Sequence, residues 1–329
     1  MNLFESKPEQ ENKVLFYIIS IILVLGVIFC IYTPNFTVFK WWARFSSQIS
    51  IGYWILGILF LAFKKPRLTM VAFVSCLFLC LYLRNTTNTA MAPPKVTDEP
   101  IIRLAQFNMS ASNSDYGATL ASIKKTDVDI VSVQEVTPEW RKILNDSLSN
   151  SYPYSCELVG LDVYSMKLFS KFPFSSCDTF YCGMIPNLAL GFKNPYSKSK
   201  GNIYIIASYI APPIFSTAYL ELQKQLDTVS AYTKRLNSPA ITIGDYNIHA
   251  SSYEIQQFRR SANLNDSRRG YRPDRNDGYI SLLEVPTDHI FYTPQFNCIE
   301  FQTISGPSEE RLGIKGYYQF CKDSISAVR

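Results

Sequence analysis

Three apolar runs without charged residues lie in the first part of the chain, at residues 14–32, 46–63 and 68–83. A helix needs roughly 17 to 25 residues to cross a bilayer, and the third run is barely long enough. Buried core helices are one alternative, and a cleaved signal peptide is another for the first run. The runs follow one another closely, however, and no small-x-small cleavage site follows the first. The pattern therefore favours three transmembrane helices in a membrane anchor over residues 1–84.

Basic residues beside these runs predict their orientation. Lys64, Lys65 and Arg67 fill the turn between the second and third runs, and Lys7 and Lys13 precede the first. Positively charged loops stay in the cytoplasm. Because the number of spans is odd, the rest of the chain lies on the far side. We therefore expect a multi-pass protein of the inner (cytoplasmic) membrane with an extracytoplasmic, periplasmic C-terminal domain.

The pattern changes after the third run. Residues 85–100 (NTTNTAMAPPKVTDEP) are polar, small and rich in proline, which is typical of a linker. Beyond them, helical periodicity alternates with short runs rich in Ile, Val, Phe and Tyr. Helices are predicted at 116–126, 137–149, 216–237 and 251–263. Strands are predicted at 101–109, 128–136, 166–172, 203–210, 240–247, 288–293, 298–304 and 313–320. This alternation predicts an α/β domain over residues 101–322, with helices covering the sheets.

Charge is distributed unevenly along the chain, which carries a net +5. Up to residue 98 the basic residues exceed the acidic ones by 9 − 4 = 5, and after it they are balanced, 23 against 23. Non-specific binding of nucleic acid requires a surplus of positive charge that neutralises phosphates. We therefore do not expect the C-terminal domain to bind nucleic acid non-specifically.

The C-terminal domain contains five cysteines, at positions 156, 177, 182, 298 and 321. Disulfides can form outside the cytoplasm, but an odd number leaves at least one thiol unpaired. Cys177 and Cys182 are the only two that are close in sequence. The chain has two histidines and no C-x-x-C motif, so a zinc site is not expected.

Polar residues stand at the ends of several predicted strands: Asn108, Glu135, Asp245, Asn247 and Asp288. Asp245 and Asn247 are two residues apart, which predicts that they share one face of their strand. Taken singly, an Asp or Asn at a strand end usually caps a turn. Taken together, the carboxylate and amide oxygens are the ligands that a hard divalent ion such as Mg²⁺ prefers.

Seven short segments resemble those of a known superfamily in their order and spacing. They are FNM, DVDIVSVQEV, YPY, LFSKFPF, APP, ITIGDYN and DHIF, within residues 101–321. This part of the chain resembles the endonuclease/exonuclease/phosphatase superfamily, which has the DNase I-like fold. The resemblance implies a four-layer α/β/β/α sandwich and hydrolysis of phosphomonoesters or phosphodiesters with Mg²⁺ or Mn²⁺.

The same resemblance implies roles for the five strand-end residues. Asn108 and Glu135 would help to hold the metal. Asp245 would orient or deprotonate the attacking water, Asn247 would bind the phosphate, and Asp288 would support the site from the opposite side.

Both histidines of the family pattern are replaced. One should end the strand before APP, where the chain has Tyr209. The other should follow an aspartate ahead of the last strand, where Glu310 and Arg311 stand. Tyr209 and Arg311 are therefore candidates for the two catalytic positions. Glu310 is a further candidate metal ligand, beside Asn108 and Glu135. Neither a tyrosine nor an arginine exchanges protons readily at neutral pH.

The substitutions favour a pseudoenzyme, which binds a metal, a phosphate-bearing ligand or a membrane protein partner and hydrolyses poorly or not at all. One alternative is an active phosphodiesterase or phosphatase that acts on a periplasmic or lipid-linked phosphoester, with Arg311 replacing an imidazole electrostatically. Another is a structural subunit of a membrane complex.

Two further groups of residues are candidates for the site. Arginines follow GDYN, and Arg268, Arg269 and Arg272 are candidates for binding phosphate; the alternative is a solvated loop with acidic partners. His289 follows Asp288 and should point to the opposite face, as a packed or hydrogen-bonded residue. His249 lies in the loop beyond Asn247 and could face the site.

Overall fold

The computed structural model describes residues 13–33, 36–88, 94, 96–109, 115–160, 162–193, 202–214, 218–269, 285–306 and 311–321. The chain divides into two compact units, Met1–Leu83 and Arg84–Arg329. Of the predicted site residues, Glu310 and Arg272 lie outside the described residues.

The first unit is helical. Its elements are α1 (Lys13–Ile31), α2 (Thr37–Arg44), α3 (Ser46–Ala62) and α4 (Pro66–Thr86), the last of which continues past the unit's end. By length and composition α1 and α4 could each cross a membrane, and α2 with α3 could form a third span that is bent by 66°. Two or three spans are thus available among the described residues. The short helix α2 was not predicted.

The second unit contains two six-stranded sheets. The strands are β1 (Ile101–Asn108), β2 (Ile130–Gln134), β3 (Tyr154–Leu158), β4 (Met166–Ser170), β5 (Ser176–Cys182), β6 (Ile185–Lys193), β7 (Asn202–Ser208), β8 (Ala240–Asp245), β9 (Asn265–Asp266), β10 (Asp288–Tyr292), β11 (Phe296–Ser305) and β12 (Arg311–Phe320). The first sheet has the order β11-β12-β1-β2-β4-β3, and the second has the order β5-β6-β7-β8-β10-β9. Two neighbouring pairs are parallel, β1 with β2 and β7 with β8.

Four helices cover the outer faces of the sheets: α5 (Tyr116–Thr126), α6 (Pro138–Leu148), α7 (Ala218–Leu236) and α8 (Tyr253–Ala262). Side chains cap the starts of α5, α6 and α8, which lie within two residues of the predicted starts. Asp115 accepts a hydrogen bond from Ala118 N at the start of α5, and Ser252 accepts one from Ile255 N at the start of α8.

Three apolar cores hold the layers together. The core between the sheets includes Leu104, Leu168, Ile205, Ile243 and Tyr318. A second core packs α5 and α6 on the first sheet and includes Phe107, Val131, Trp140 and Leu144. A third packs α7 and α8 on the second sheet and includes Ile206, Leu226, Val229 and Phe258. Along β1, β2 and β7 residues alternate between the inner and the outer cores. The predicted four-layer α/β/β/α sandwich is confirmed.

A disulfide joins the two sheets. Cys156 of β3 pairs with Cys177 of β5, and their Cα atoms are 6.4 Å apart. Cys182, the cysteine nearest to Cys177 in sequence, is not part of this pair. The bridge forms between the edge strands of different sheets, a proximity that only the tertiary fold creates.

Candidate functional site

Six of the predicted site residues lie at one end of the sandwich. Asn108 and Asp245 are the last residues of β1 and β8, Asp288 and Arg311 are the first residues of β10 and β12, and Glu135 and Tyr209 directly follow β2 and β7. The antiparallel register places Asp288 opposite Asp245. One end of the fold therefore collects side chains from both sheets.

Asn108 connects the carboxylates of the two sheets. Its Nδ2 donates to Glu135 Oε1 at 2.8 Å and lies 3.4 Å from Asp245 Oδ2. The backbone of Glu135 has a left-handed φ of 56°, which lies outside the strand region, and β2 ends at Gln134. Side chains from three strand ends thus form one acidic cluster.

These residues fit the divalent ion that the resemblance implies. Asn108 Oδ1 is buried and has no hydrogen-bond partner among the described residues. This oxygen is therefore available to coordinate an ion. Glu135 and Asp245 add carboxylate oxygens at hydrogen-bond distance from the same amide. Such a donor set suits Mg²⁺ or Mn²⁺. In the described part of the chain, however, no three His, Cys, Asp or Glu side chains form a metal-binding group by themselves.

Asp245 and Asn247 meet through a turn, and not along a strand as the sequence predicted. Strand β8 ends at Asp245, and Asn247 has a left-handed φ of 53°. The backbone N–H of Asn247 donates to Asp245 Oδ1 at 2.9 Å, and its side-chain Nδ2 donates to Ile210 O at 2.9 Å. Asparagine tolerates this backbone conformation better than most residues, which explains its place here.

The surroundings of Asp245 raise the pKa of its carboxyl group. Burial raises the pKa of its carboxyl group to about 7, and the negative charges of Asp288 and Glu135 add to the effect. Hydrogen bonds from Asn247 N and from Thr287 oppose the increase in this pKa. A nearby cation would stabilise the ionised form.

Tyr209 occupies the position expected for a histidine and is nearly buried, with 6% of its surface exposed. Its ring makes an edge-to-face contact with Tyr164 at 5.7 Å. Burial raises the pKa of its hydroxyl group to about 12, and the charges of Glu135 and Asp245 act in the same direction. Tyr209 therefore keeps its proton at neutral pH, and its hydroxyl group can donate a hydrogen bond.

Arg311 pairs with Asp288 across the same end of the fold. Its guanidinium lies 2.9 Å from Asp288 Oδ2, and the two side chains are 13% and 16% exposed. A charge-assisted pair of this kind holds both groups in place. The second position expected for an imidazole thus carries a fixed positive charge.

Gln134 is a site residue that the sequence interpretation missed. It is fully buried between the sheets. Its Oε1 accepts from Asp245 N at 2.9 Å and from Gln106 Nε2 at 2.9 Å, and its Nε2 donates to Ser208 O at 2.9 Å. It thereby positions the backbone at the ends of β7 and β8. The signal in the sequence was an amide within an otherwise apolar strand.

Two of the predicted phosphate-binding arginines make contacts inside the fold. Arg268 is 7% exposed, its guanidinium stacks 4.9 Å from the centre of Phe301, and one NH group lies 3.5 Å from Asp288 O. Arg269 donates to Cys298 O. Their binding of phosphate stays a prediction, and so does that of Arg272.

The two histidines differ in their surroundings. His289 is 1% exposed, its Nε2 lies 2.8 Å from Ile248 O, and burial lowers its pKa to about 3. It is the packed, hydrogen-bonded residue that the sequence predicted. His249 is partly exposed, and its Nδ1 lies 2.8 Å from Ser251 Oγ.

Comparisons with known proteins agree with this architecture. The model of the Endonuclease/Exonuclease/phosphatase family matches residues 105–308. No curated protein matches the chain. Similar solved structures include an endonuclease/exonuclease/phosphatase from Beutenbergia cavernae DSM 12333 (15% identity, TM-score 0.53, covering 67% of this chain and 72% of that one). D. rerio TDP2 complexed with a single-strand DNA product is similar as well (16% identity, TM-score 0.53, covering 67% and 100%). At these identities the likeness concerns the fold alone.

Proposed function

The chain belongs to the endonuclease/exonuclease/phosphatase family, and from this premise we propose that it binds a divalent metal ion and a phosphate-bearing ligand but hydrolyses phosphoesters weakly or not at all. One observation carries the proposal. The candidate metal ligands lie together at one end of the fold. The two positions where histidines are expected hold instead a tyrosine with a pKa of about 12 and an arginine paired with Asp288.

The residues at the site have separate tasks in this proposal. Asn108 and Glu135 hold the ion, which would be Mg²⁺ or Mn²⁺ and would offset the negative charge of the cluster and polarise a phosphoryl oxygen. Asp245 orients a water molecule and can accept its proton, since its pKa lies near 7. Arg311 binds a phosphoryl oxygen through a guanidinium N–H.

Proton donation is the step that the site lacks. A leaving oxygen needs a proton, and a positioned general acid contributes typically about 10² to 10⁴ in rate. Tyr209 holds its proton too tightly at neutral pH, and arginine keeps its charge. The protein is therefore proposed to bind its ligand without hydrolysing it efficiently.

A second candidate function is an active metal-dependent phosphodiesterase or phosphatase. The observation that favours it is the largely buried position of Arg311, 2.9 Å from Asp288, where a fixed positive charge can stabilise a phosphoryl transition state. Its substrate would be a periplasmic or lipid-linked phosphoester.

Two observations support a membrane-anchored, extracytoplasmic domain. The chain has two or three helices that could span a membrane, with Lys64, Lys65 and Arg67 between the last two. The Cys156–Cys177 disulfide is of a kind that persists outside the cytoplasm. A reporter that is active only in the cytoplasm, fused after Arg329, should be silent; an active reporter would contradict this orientation.

Metal binding and hydrolysis can be tested on the same full-length protein in detergent micelles. Mn²⁺ should raise its melting temperature, because a ligand of the folded state stabilises that state. Glu135→Gln should abolish the increase, while the matched change Glu139→Gln on α6 should preserve it. An equal increase in Glu135→Gln would place the ion elsewhere.

The hydrolysis assay uses bis-p-nitrophenyl phosphate and single-stranded DNA with Mg²⁺ or Mn²⁺. We expect no turnover above that of Asp245→Asn. Metal-dependent turnover that disappears in Asp245→Asn would reject the pseudoenzyme and establish the second candidate. Arg311→Lys, which keeps the charge but loses the bidentate geometry, would then test the role of the guanidinium.

A further inference from the structure

A separate pocket lies at the opposite end of the sandwich. A cavity of about 840 Å³ opens between the two sheets, and the segment that joins β4 to β5 forms part of its wall. Ile101 lines it at the start of β1, whereas Asn108 ends the same strand, roughly 23 Å away at about 3.3 Å per residue. The cavity is therefore separate from the acidic cluster.

Apolar side chains line nearly the whole cavity. They include Ile101, Ile130, Phe174, Phe192, Ile203 and Ile205. The pocket is partly open to solvent, and the removal of its apolar walls from contact with water is favourable. Its volume is in the range of natural ligand pockets, which is roughly 300 to 1,000 Å³. The occupant must therefore be largely apolar.

The two polar side chains in the lining restrict the occupant further. The Ser175 hydroxyl donates to Gly191 O at 2.9 Å, so its hydrogen is already used. Lys193, at the end of β6, is exposed and is the one charged side chain among the described lining residues. A sugar or nucleotide would lose its hydrogen bonds to water here without replacement. A single negative charge at the end of an apolar ligand would find a partner.

We propose that this cavity binds a free long-chain fatty acid, with its aliphatic chain between the sheets and its carboxylate at Lys193. The aliphatic chain replaces water with apolar contacts along both sheets. The carboxylate stays at the surface, where ion pairing needs little desolvation. The proposal does not depend on metal binding or hydrolysis at the other end of the domain.

The test uses the full-length protein in lipid nanodiscs and a palmitic acid that carries a diazirine near its methyl end. After irradiation, cross-links should be found in the peptides that contain residues 172–175 and 203–205, and excess unlabelled palmitate should suppress them. Lys193→Glu and Ile101→Glu should each reduce these cross-links several-fold. The control Lys125→Glu, an exposed charge reversal on α5, should not change them.

Each other outcome would overturn the proposal. Cross-links confined to α1, α3 and α4 would show that the probe only enters the bilayer. Cavity cross-links that persist in both Lys193→Glu and Ile101→Glu would show non-specific labelling, once a melting curve has confirmed that each variant is folded. If Ile101→Glu does not fold, Lys193→Glu alone decides the test, because Lys193 is an exposed residue. Equal labelling by the diazirine analogue of palmityl alcohol would exclude the carboxylate contact, and equal labelling by a diazirine phospholipid would make a membrane lipid the ligand.

Discussion

Replacement of Gln134 by leucine tests how the two sheets are held in register beneath the site. Leucine has a similar size but cannot form hydrogen bonds. It would leave Asp245 N and Ser208 O without the partner that Gln134 supplies at 2.9 Å, whereas Gln106 Nε2 keeps its bond to Phe107 O. Each buried group that loses its partner costs about 1 to 3 kcal/mol. The sum is at least about 2 kcal/mol, which corresponds to a factor of about 30 in local opening.

Hydrogen exchange of the full-length protein measures this local opening segment by segment. Peptides that cover the ends of β7 and β8 should exchange faster in Gln134→Leu, and the Mn²⁺-induced increase in melting temperature should shrink because Asp245 is displaced. Gln223→Leu, which removes one exposed hydrogen bond to Asp227, is the matched control and should cost less than about 0.5 kcal/mol. A loss in Gln134→Leu as small as that of the control would refute the role of this residue.

Three other predictions concern stability. In urea unfolding, Gly244→Ala should strongly destabilise the sandwich, since a Cβ there would collide with Ser208 O. The control Gly117→Ala, where the nearest atom to an added Cβ lies 3.8 Å away, should be neutral or slightly stabilising. The pKa of His289 is about 3 when folded and about 6.5 when unfolded, so the stability that depends on its neutral ring is complete above pH 6.5 and is lost as the pH falls towards 3. Between pH 7.5 and 5 the wild type should therefore lose about 2 kcal/mol more than His289→Phe, and equal losses would contradict the burial of a neutral ring. Reduction of the Cys156–Cys177 disulfide, which spans 21 residues, should lower the unfolding free energy by about 3 kcal/mol, and Cys156→Ser should show the same loss without reductant.

Helices α5 to α8 could be predicted to within about two residues because amphipathic periodicity and capping are local properties. Strands β3, β5, β6 and β9 were not predicted, and β5 and β6 show why. Most residues of β5 are exposed or half-exposed, as in an edge strand, and β6 contains Pro186 and Gly191, which discourage a strand assignment. Tertiary pairing overrides these local preferences.

The candidate site could be predicted in part for the same reason. Strand-end positions such as Asn108 and Asp245 can be recognised from the sequence because each follows an apolar run. The partners could not be recognised, because the pairing of Arg311 with Asp288 and the contacts of Gln134 join strands far apart in the chain. The turn at Asn247 also depends on a backbone conformation that alternation along a strand does not describe.

The disulfide and Gln134 both join the two sheets, Gln134 at the centre of the sandwich and Cys156–Cys177 at an edge. The Arg311–Asp288 pair and the apolar core between the sheets join them as well. Asn108 and Glu135 come from one sheet and Asp245 from the other. The spacing of the acidic cluster therefore depends on how the two sheets are held together, and not on either sheet alone.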